Sequence, residues 1–102
     1  MAYTDSQRFI WDERKNAANR RKHDLSFEET VELFIGGEDY VEIFDEGASL
    51  DEDRFLAIGP IRRGVVVVVW TDRDEGVTRI VSARFATASE RRLYRQFQET
   101  LP

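Results

Sequence analysis

A single histidine lies among lysines and arginines near the start of the chain, and such side chains can act on a phosphodiester. Cleaving an RNA strand without a metal ion requires a base for the 2′-hydroxyl proton and an acid for the leaving 5′-oxygen. It also requires cations that stabilise the pentavalent phosphorane. Residues of suitable type are Lys15, Lys22, His23, Tyr94 and the arginines of the last predicted strand and helix. The residue types therefore permit metal-independent RNA cleavage, and spacing alone leaves the individual roles open.

Each of these residues also has a structural interpretation. His23 falls at the end of a predicted helix, where an imidazolium suits the helix dipole. Tyr94 adjoins Leu93 and Phe97 on an apolar helix side, and Trp11 is typical of a core residue. The arginines of the last helix form, by default, a solvated face; they are Arg91, Arg92 and Arg95.

Composition excludes several other chemistries. The chain has 102 residues and no cysteine, which rules out disulfides, zinc-thiolate sites and thiol nucleophiles. The acidic run at 45–53 lacks the spacing of an EF-hand loop, and no glycine-rich phosphate loop or dinucleotide motif is present. No segment is apolar for long enough to cross a bilayer. We therefore predict no metal site, no cofactor and no membrane contact.

The formal net charge of −5 would by itself argue against a nucleic-acid partner, but the charge is unevenly distributed. Residues 1–23 carry six basic and three acidic side chains, and residues 62–102 carry eight and five. Residues 24–61 carry twelve acidic side chains and one basic one. This asymmetry predicts two faces with different partners. Thirteen of the fifteen basic residues are arginine, which suits bidentate phosphate recognition.

Three helices are predicted from their capping residues. Asp12 caps a polar helix that follows a short strand at residues 9–11. Ser26 and Thr87 begin capping boxes for the second helix and the C-terminal helix. The second helix ends at the Gly36-Gly37 pair. Its core-facing stripe is predicted at Phe27, Val31, Phe34 and Ile35.

Strands are predicted after the second helix at residues 40–44, 54–61, 65–71 and 77–85. The third of these is apolar on both faces and belongs in the sheet centre. Ideal alternation in the last strand places Arg79 and Arg84 on opposite faces, unless a bulge changes the assignment. These elements predict one α+β domain over residues 1–102: an N-terminal strand, two helices, an antiparallel sheet of about four strands and a C-terminal helix.

The same segments resemble the BrnT-type toxin family over about residues 9–97. The matching motifs are Phe9-Ile10-Trp11-Asp12, Lys15-Asn16, Asn19, Lys22-His23, Ser26-Phe27-Glu28, residues 54–59 and 79–84, Ala86-Thr87, and Glu90-Arg91 with Tyr94. The resemblance implies a RelE-like fold and an RNA-cleaving toxin that blocks translation. It also implies a cytoplasmic toxin–antitoxin hetero-oligomer, whose cognate antitoxin carries a ribbon-helix-helix DNA-binding part.

Carried over residue by residue, the resemblance implies a set of functional residues. The predicted catalytic residues are Lys15, His23, Arg79, Arg84 and Tyr94. Trp11, Lys22 and Arg91 are predicted to contact RNA. In this scheme the strand arginines bind the scissile phosphate, the lysines hold flanking phosphates, and His23 or Tyr94 transfers protons.

One position departs from the family pattern. Asp24-Leu25 stands where the family usually has Gly-Val, directly after His23. Aspartate tolerates the left-handed conformation better than most residues, so we expect the turn to survive.

Two further functions are compatible with these residues. The first is a non-catalytic protein-binding module derived from the same fold. The second is a general RNA-binding domain that does not cleave. RNA cleavage by the purified protein separates both from the toxin.

Overall fold

The computed structural model describes residues 2–3, 8–45, 54–73 and 76–101, and its elements follow the predicted order. The elements are β1 (Ala2–Tyr3), β2 (Arg8–Ile10), α1 (Glu13–His23), α2 (Phe27–Ile35), β3 (Val41–Asp45), β4 (Arg54–Ile61), β5 (Gly64–Arg73), β6 (Val77–Phe85) and α3 (Ala88–Glu99). The α+β class is confirmed. Most of the predicted acidic loop at 45–53 lies outside the described residues.

The described strands form one sheet in the order β1-β2-β6-β5-β4-β3. The sheet is mixed rather than antiparallel, because β2 runs parallel to β6 while the other neighbours are antiparallel. Residues Arg8–Ile10 pair with Val77–Arg79, although most of the chain lies between these two segments in the sequence. The predicted antiparallel sheet of about four strands is confirmed for β3–β6. The N-terminal strand β2 joins the same sheet in parallel, a pairing between distant segments on which local patterning carries no information.

Helices cover both faces of the sheet. Val66, Val68 and Trp70 of β5 pack in the larger core cluster together with residues of α2. Val67, between them, packs in a second cluster with Tyr94 of α3. The central position predicted for this strand is confirmed, because alternate side chains of β5 enter two separate cores.

Capping residues begin the three helices as predicted. The Asp12 side chain accepts a hydrogen bond from the Arg14 amide, and both capping boxes are formed. The predicted stripe of α2 is wrong in part, because Ile35 is 50% exposed while Thr30 and Leu33 are buried. Burial of Thr30 is tolerated because its hydroxyl donates to the Phe27 carbonyl at 2.7 Å.

Candidate active site

A bulge in β6 determines the side of the sheet on which its arginines lie. Two neighbouring residues of β5 pair with Ile80 and Ser82, so Val81 between them is an extra residue. An extra residue reverses the alternation of the side chains beyond it. The prediction that Arg79 and Arg84 lie on opposite faces is therefore wrong, and both lie on the face that α3 packs against.

Cross-strand partners identify this face. Arg79 pairs with Thr71, and Arg84 pairs with Val67, which packs under α3. Ser82 lies exposed between the two arginines. The partners on β5 are four residues apart, which separates the two arginine Cα positions by about 13 Å along the sheet. Two long side chains can close this gap and converge on a group above Ser82.

Hydrogen bonds from two buried asparagines, rather than apolar packing, hold α1 in place. Asn16 accepts a 2.8 Å hydrogen bond from the Phe27 amide at the start of α2. Asn19 donates to the Leu25 carbonyl at 2.8 Å and accepts from the Ala83 amide of β6 at 3.2 Å. These contacts explain how a helix without a large apolar residue docks beside β6.

The order of side chains around α1 places Lys15 and Lys22 next to the two asparagines. At about 100° per residue, the projection runs from Asn16 through Asn19 to Lys15 and then Lys22. Asn16 contacts α2, and Asn19 contacts the edge of β6. The lysines come next in the same rotational sense, farther around α1 from the contact with α2 than the asparagines are. Both are exposed.

His23 is the last residue of α1 and is half-buried. Asp24 follows it in the left-handed conformation, with φ of 55° and ψ of 39°, as predicted. The Asp24 carboxylate accepts a 3.0 Å hydrogen bond from Arg63, in the turn between β4 and β5. The acidic substitution is therefore matched by a basic partner.

Arg84 is held by Glu90 of α3. Its Nη1 and Nη2 donate to the two carboxylate oxygens at 2.7 and 2.8 Å. The hydrogen bond from Arg84 is the largest cause that lowers the pKa of Glu90, to about 2. This end-on pairing leaves the Nε edge of the guanidinium able to bind an anionic oxygen. Glu90 was not among the predicted site residues, although it stands in the Thr87 capping box and in one of the motifs that resemble the family.

Tyr94 is buried and hydrogen-bonded within the protein. Its hydroxyl donates to the Asp39 carbonyl at 2.9 Å, just before β3. Burial raises the pKa of Tyr94, and the nearby carboxylates of Glu38 and Asp39 raise it further. The Tyr94 ring packs with Val67 of β5, the cross-strand partner of Arg84. The structure therefore shows Tyr94 with a buried ring and a hydroxyl that is hydrogen-bonded to the backbone.

The two other predicted RNA contacts also have protein partners. Trp11 Nε1 donates to Glu13 at 2.8 Å, and its ring meets Phe27 edge-on at 6.1 Å between centroids. Arg91 is exposed and donates to the Ala86 carbonyl at 2.9 Å. Trp11 thus packs at the margin of the core beside α1.

The residues that the structure describes contain neither a metal-binding group nor a membrane-spanning helix. Among them, no group of three or more acidic or histidine side chains is placed to hold a metal ion. Over the same residues, no helix has the length and apolar character that a membrane span requires.

Comparison with known proteins bears on this arrangement. A family model described as the ribonuclease toxin BrnT of type II toxin–antitoxin systems matches residues 11–90. The chain belongs to the BrnT family. The matched range contains α1, β6 and Glu90, whereas Arg91 and Tyr94 lie beyond it. Membership of the BrnT family implies RNA as the target and an antitoxin as the partner.

A solved structure agrees with the fold. The crystal structure of the Brucella abortus ribonuclease toxin BrnT matches this chain with a TM-score of 0.60 and 24% sequence identity. The match covers 79% of this chain and 97% of that one. At this identity the likeness establishes the shared fold of the BrnT proteins. No curated protein matches the chain in sequence.

Proposed function

We propose that this BrnT family member is a cytoplasmic endoribonuclease toxin that cleaves RNA without a metal ion. The bulge at Val81 carries the proposal, because it places Arg79 and Arg84 on one face of the sheet. Lys15 and Lys22 border the same face from α1. Four cations thus surround an exposed strip of β6, which matches the negative charge of an RNA backbone.

The arginines supply electrostatic stabilisation. Arg84 is oriented by Glu90 before substrate binds, and its Nε edge together with Arg79 donates to the non-bridging oxygens of the scissile phosphate. These donors bind the phosphorane more strongly than the ground state, because charge accumulates on those oxygens as the 2′-oxygen attacks. Lys15 and Lys22 hold the flanking phosphates.

Proton transfer completes the reaction. A base removes the 2′-hydroxyl proton as the new phosphorus–oxygen bond forms, and an acid protonates the departing 5′-oxygen, leaving a cyclic phosphate. Imidazole can act as a general acid or base, and His23 ends the helix that carries Lys15 and Lys22. Tyr94 is the other candidate, but its hydroxyl already donates a hydrogen bond to the Asp39 carbonyl. We therefore assign one of the transfers to His23.

An antitoxin holds such an enzyme inactive by covering its cationic face. We propose a ribbon-helix-helix antitoxin that forms a hetero-oligomer with this chain. Complex formation of this kind shifts nearly all of the toxin to the bound state when affinity is high. Growth arrest on expression of this chain alone, with rescue by the antitoxin, tests this part of the proposal.

RNA cleavage by the purified chain tests the enzyme. We expect cleavage of a single-stranded oligonucleotide to persist in EDTA, and the Arg84→Ala variant to lose it by about 100-fold or more. Arg92→Ala is the matched control, because it removes the same charge from the exposed face of α3. Cleavage that requires added metal ions contradicts the mechanism. Intact antitoxin binding without cleavage supports the alternative, a non-catalytic protein-binding module.

A further inference from the structure

One guanidinium contacts the residues that follow two members of the proposed site. Arg63 donates to the Asp24 carbonyl at 2.9 Å and to its carboxylate at 3.0 Å. The same guanidinium lies 5.3 Å from the centre of the Phe85 ring. Asp24 directly follows His23, and Phe85 directly follows Arg84. The turn between β4 and β5 therefore joins the end of α1 to the end of β6.

A third contact brings in the start of α2. Arg63 Nη1 lies 2.9 Å from Glu29 Oε2, and the other Glu29 oxygen accepts from Ser26 in the capping box. Partial burial alone would raise the pKa of Glu29, but the hydrogen bonds from Arg63 and Ser26 outweigh it and lower that pKa. Arg63 thus holds the corner between α1 and α2 against the sheet.

We propose that Arg63 is a positioning residue that sets the place of His23 relative to Arg84. This inference rests on the proposed function of both residues. A planar guanidinium directs several donors along fixed lines. Its hydrogen bonds to the carbonyl oxygen and to one carboxylate oxygen of Asp24 therefore restrain this left-handed residue, which ends α1. The ionic part of this contact depends on the aspartate at position 24.

Arg63 contributes to geometry more than to stability. Its side chain is 42% exposed and that of Asp24 is 93% exposed, and exposed ion pairs add little to folding. The buried hydrogen bonds of Asn16 and Asn19 already hold α1 to its neighbours. Loss of Arg63 should therefore leave the fold intact while His23 changes its position.

The chain has only one histidine, so NMR can follow it directly. We expect Arg63→Ala to shift and broaden the His23 ring resonance and to lower kcat about tenfold, with KM unchanged. Arg62→Ala is the matched control from the same turn and should change neither. Arg63→Lys should recover only part of kcat, because an ammonium cannot reproduce the fork.

Asp24→Asn separates the two contacts. It retains the carbonyl and the tolerance for a left-handed backbone but removes the ion pair. If Asp24 acts through Arg63, this substitution should lower kcat in the wild-type background and have no further effect in Arg63→Ala.

The outcomes distinguish the inference from the proposed function. Wild-type cleavage with an unchanged His23 resonance and unchanged kcat in Arg63→Ala and Arg63→Lys overturns the inference. A displaced His23 resonance in a protein whose wild type cleaves no RNA supports the positional effect and contradicts the proposed enzyme.

Discussion

Arg84 and Glu90 are joined by two parallel hydrogen bonds, of 2.7 and 2.8 Å. Glu90 also accepts from the Thr87 amide at 2.8 Å and so takes part in the capping box of α3. One carboxylate therefore begins a helix and orients an arginine that we propose binds the scissile phosphate. Because Glu90 has both roles, substitutions that disturb one contact at a time can separate its contribution to stability from its contribution to cleavage.

Glu90→Gln should lower cleavage about tenfold, because a neutral amide cannot hold Arg84 as a carboxylate does, whereas glutamine still fits a capping box. The control is Thr87→Ala, which removes the capping hydroxyl and should cost about 1 kcal/mol of unfolding free energy. Cleavage assays and urea unfolding measure the two effects. Equal losses of cleavage in both variants would mean that Glu90 acts only through helix capping.

The stability that Glu90 provides should depend on pH. Its pKa in the folded protein is about 2, below the ordinary value of 4.5. A depressed folded pKa stabilises the protein above the unfolded pKa, and this stabilisation is lost as the pH falls from about 4.5 towards 2. At pH 6 we expect the unfolding free energy of the wild type to exceed that of Glu90→Gln by on the order of 1 kcal/mol, after allowance for solvent screening. Urea unfolding at several pH values checks this, and a difference that persists unchanged at pH 2 would refute it.

Tyr94→Phe should reduce stability and spare cleavage. The substitution leaves the Asp39 carbonyl without its donor and should cost about 1 kcal/mol. His23→Asn, in contrast, should reduce cleavage by about 100-fold or more. Thermal unfolding and single-turnover cleavage distinguish the two. A large loss of cleavage in a folded Tyr94→Phe protein would assign the proton transfer to Tyr94 instead.

Asn19→Ala should strongly destabilise the protein. It leaves the buried Leu25 carbonyl and Ala83 amide without partners, at a cost of about 2–3 kcal/mol. Arg20→Ala, at the next position but exposed, should change stability by less than about 0.5 kcal/mol. Urea unfolding measures both, and similar values would show that apolar contacts rather than these hydrogen bonds hold α1.

Local features of the fold were predictable from the sequence because each depends on a few neighbouring residues. The capping boxes at Ser26 and Thr87 mark helix starts, and β4 and β6 begin and end where predicted. The left-handed turn at Asp24 follows from the same local reasoning.

The remaining features depend on contacts between distant segments. The bulge at Val81 is set by pairing with β5, and no residue near it signals an extra position. The burial of Asn16 and Asn19 could not be predicted from the sequence either. Hydrophobic periodicity identifies helices that dock through apolar side chains, and α1 docks through hydrogen bonds. The contact of Arg63 with Asp24 requires the turn between β4 and β5 to reach the end of α1.

The strand order also separates charge across the molecule. The acidic residues around β3 lie at one edge of the sheet, while α1 and β6 carry their cations toward the other. A net charge of −5 repels a polyanion, but at physiological salt this repulsion is largely screened beyond about 8 Å. At closer range the separated charges exert a torque that turns the cationic edge of the protein toward the RNA. We therefore expect RNA to be reoriented toward the cationic edge before contact, and the acidic edge to limit non-productive adsorption.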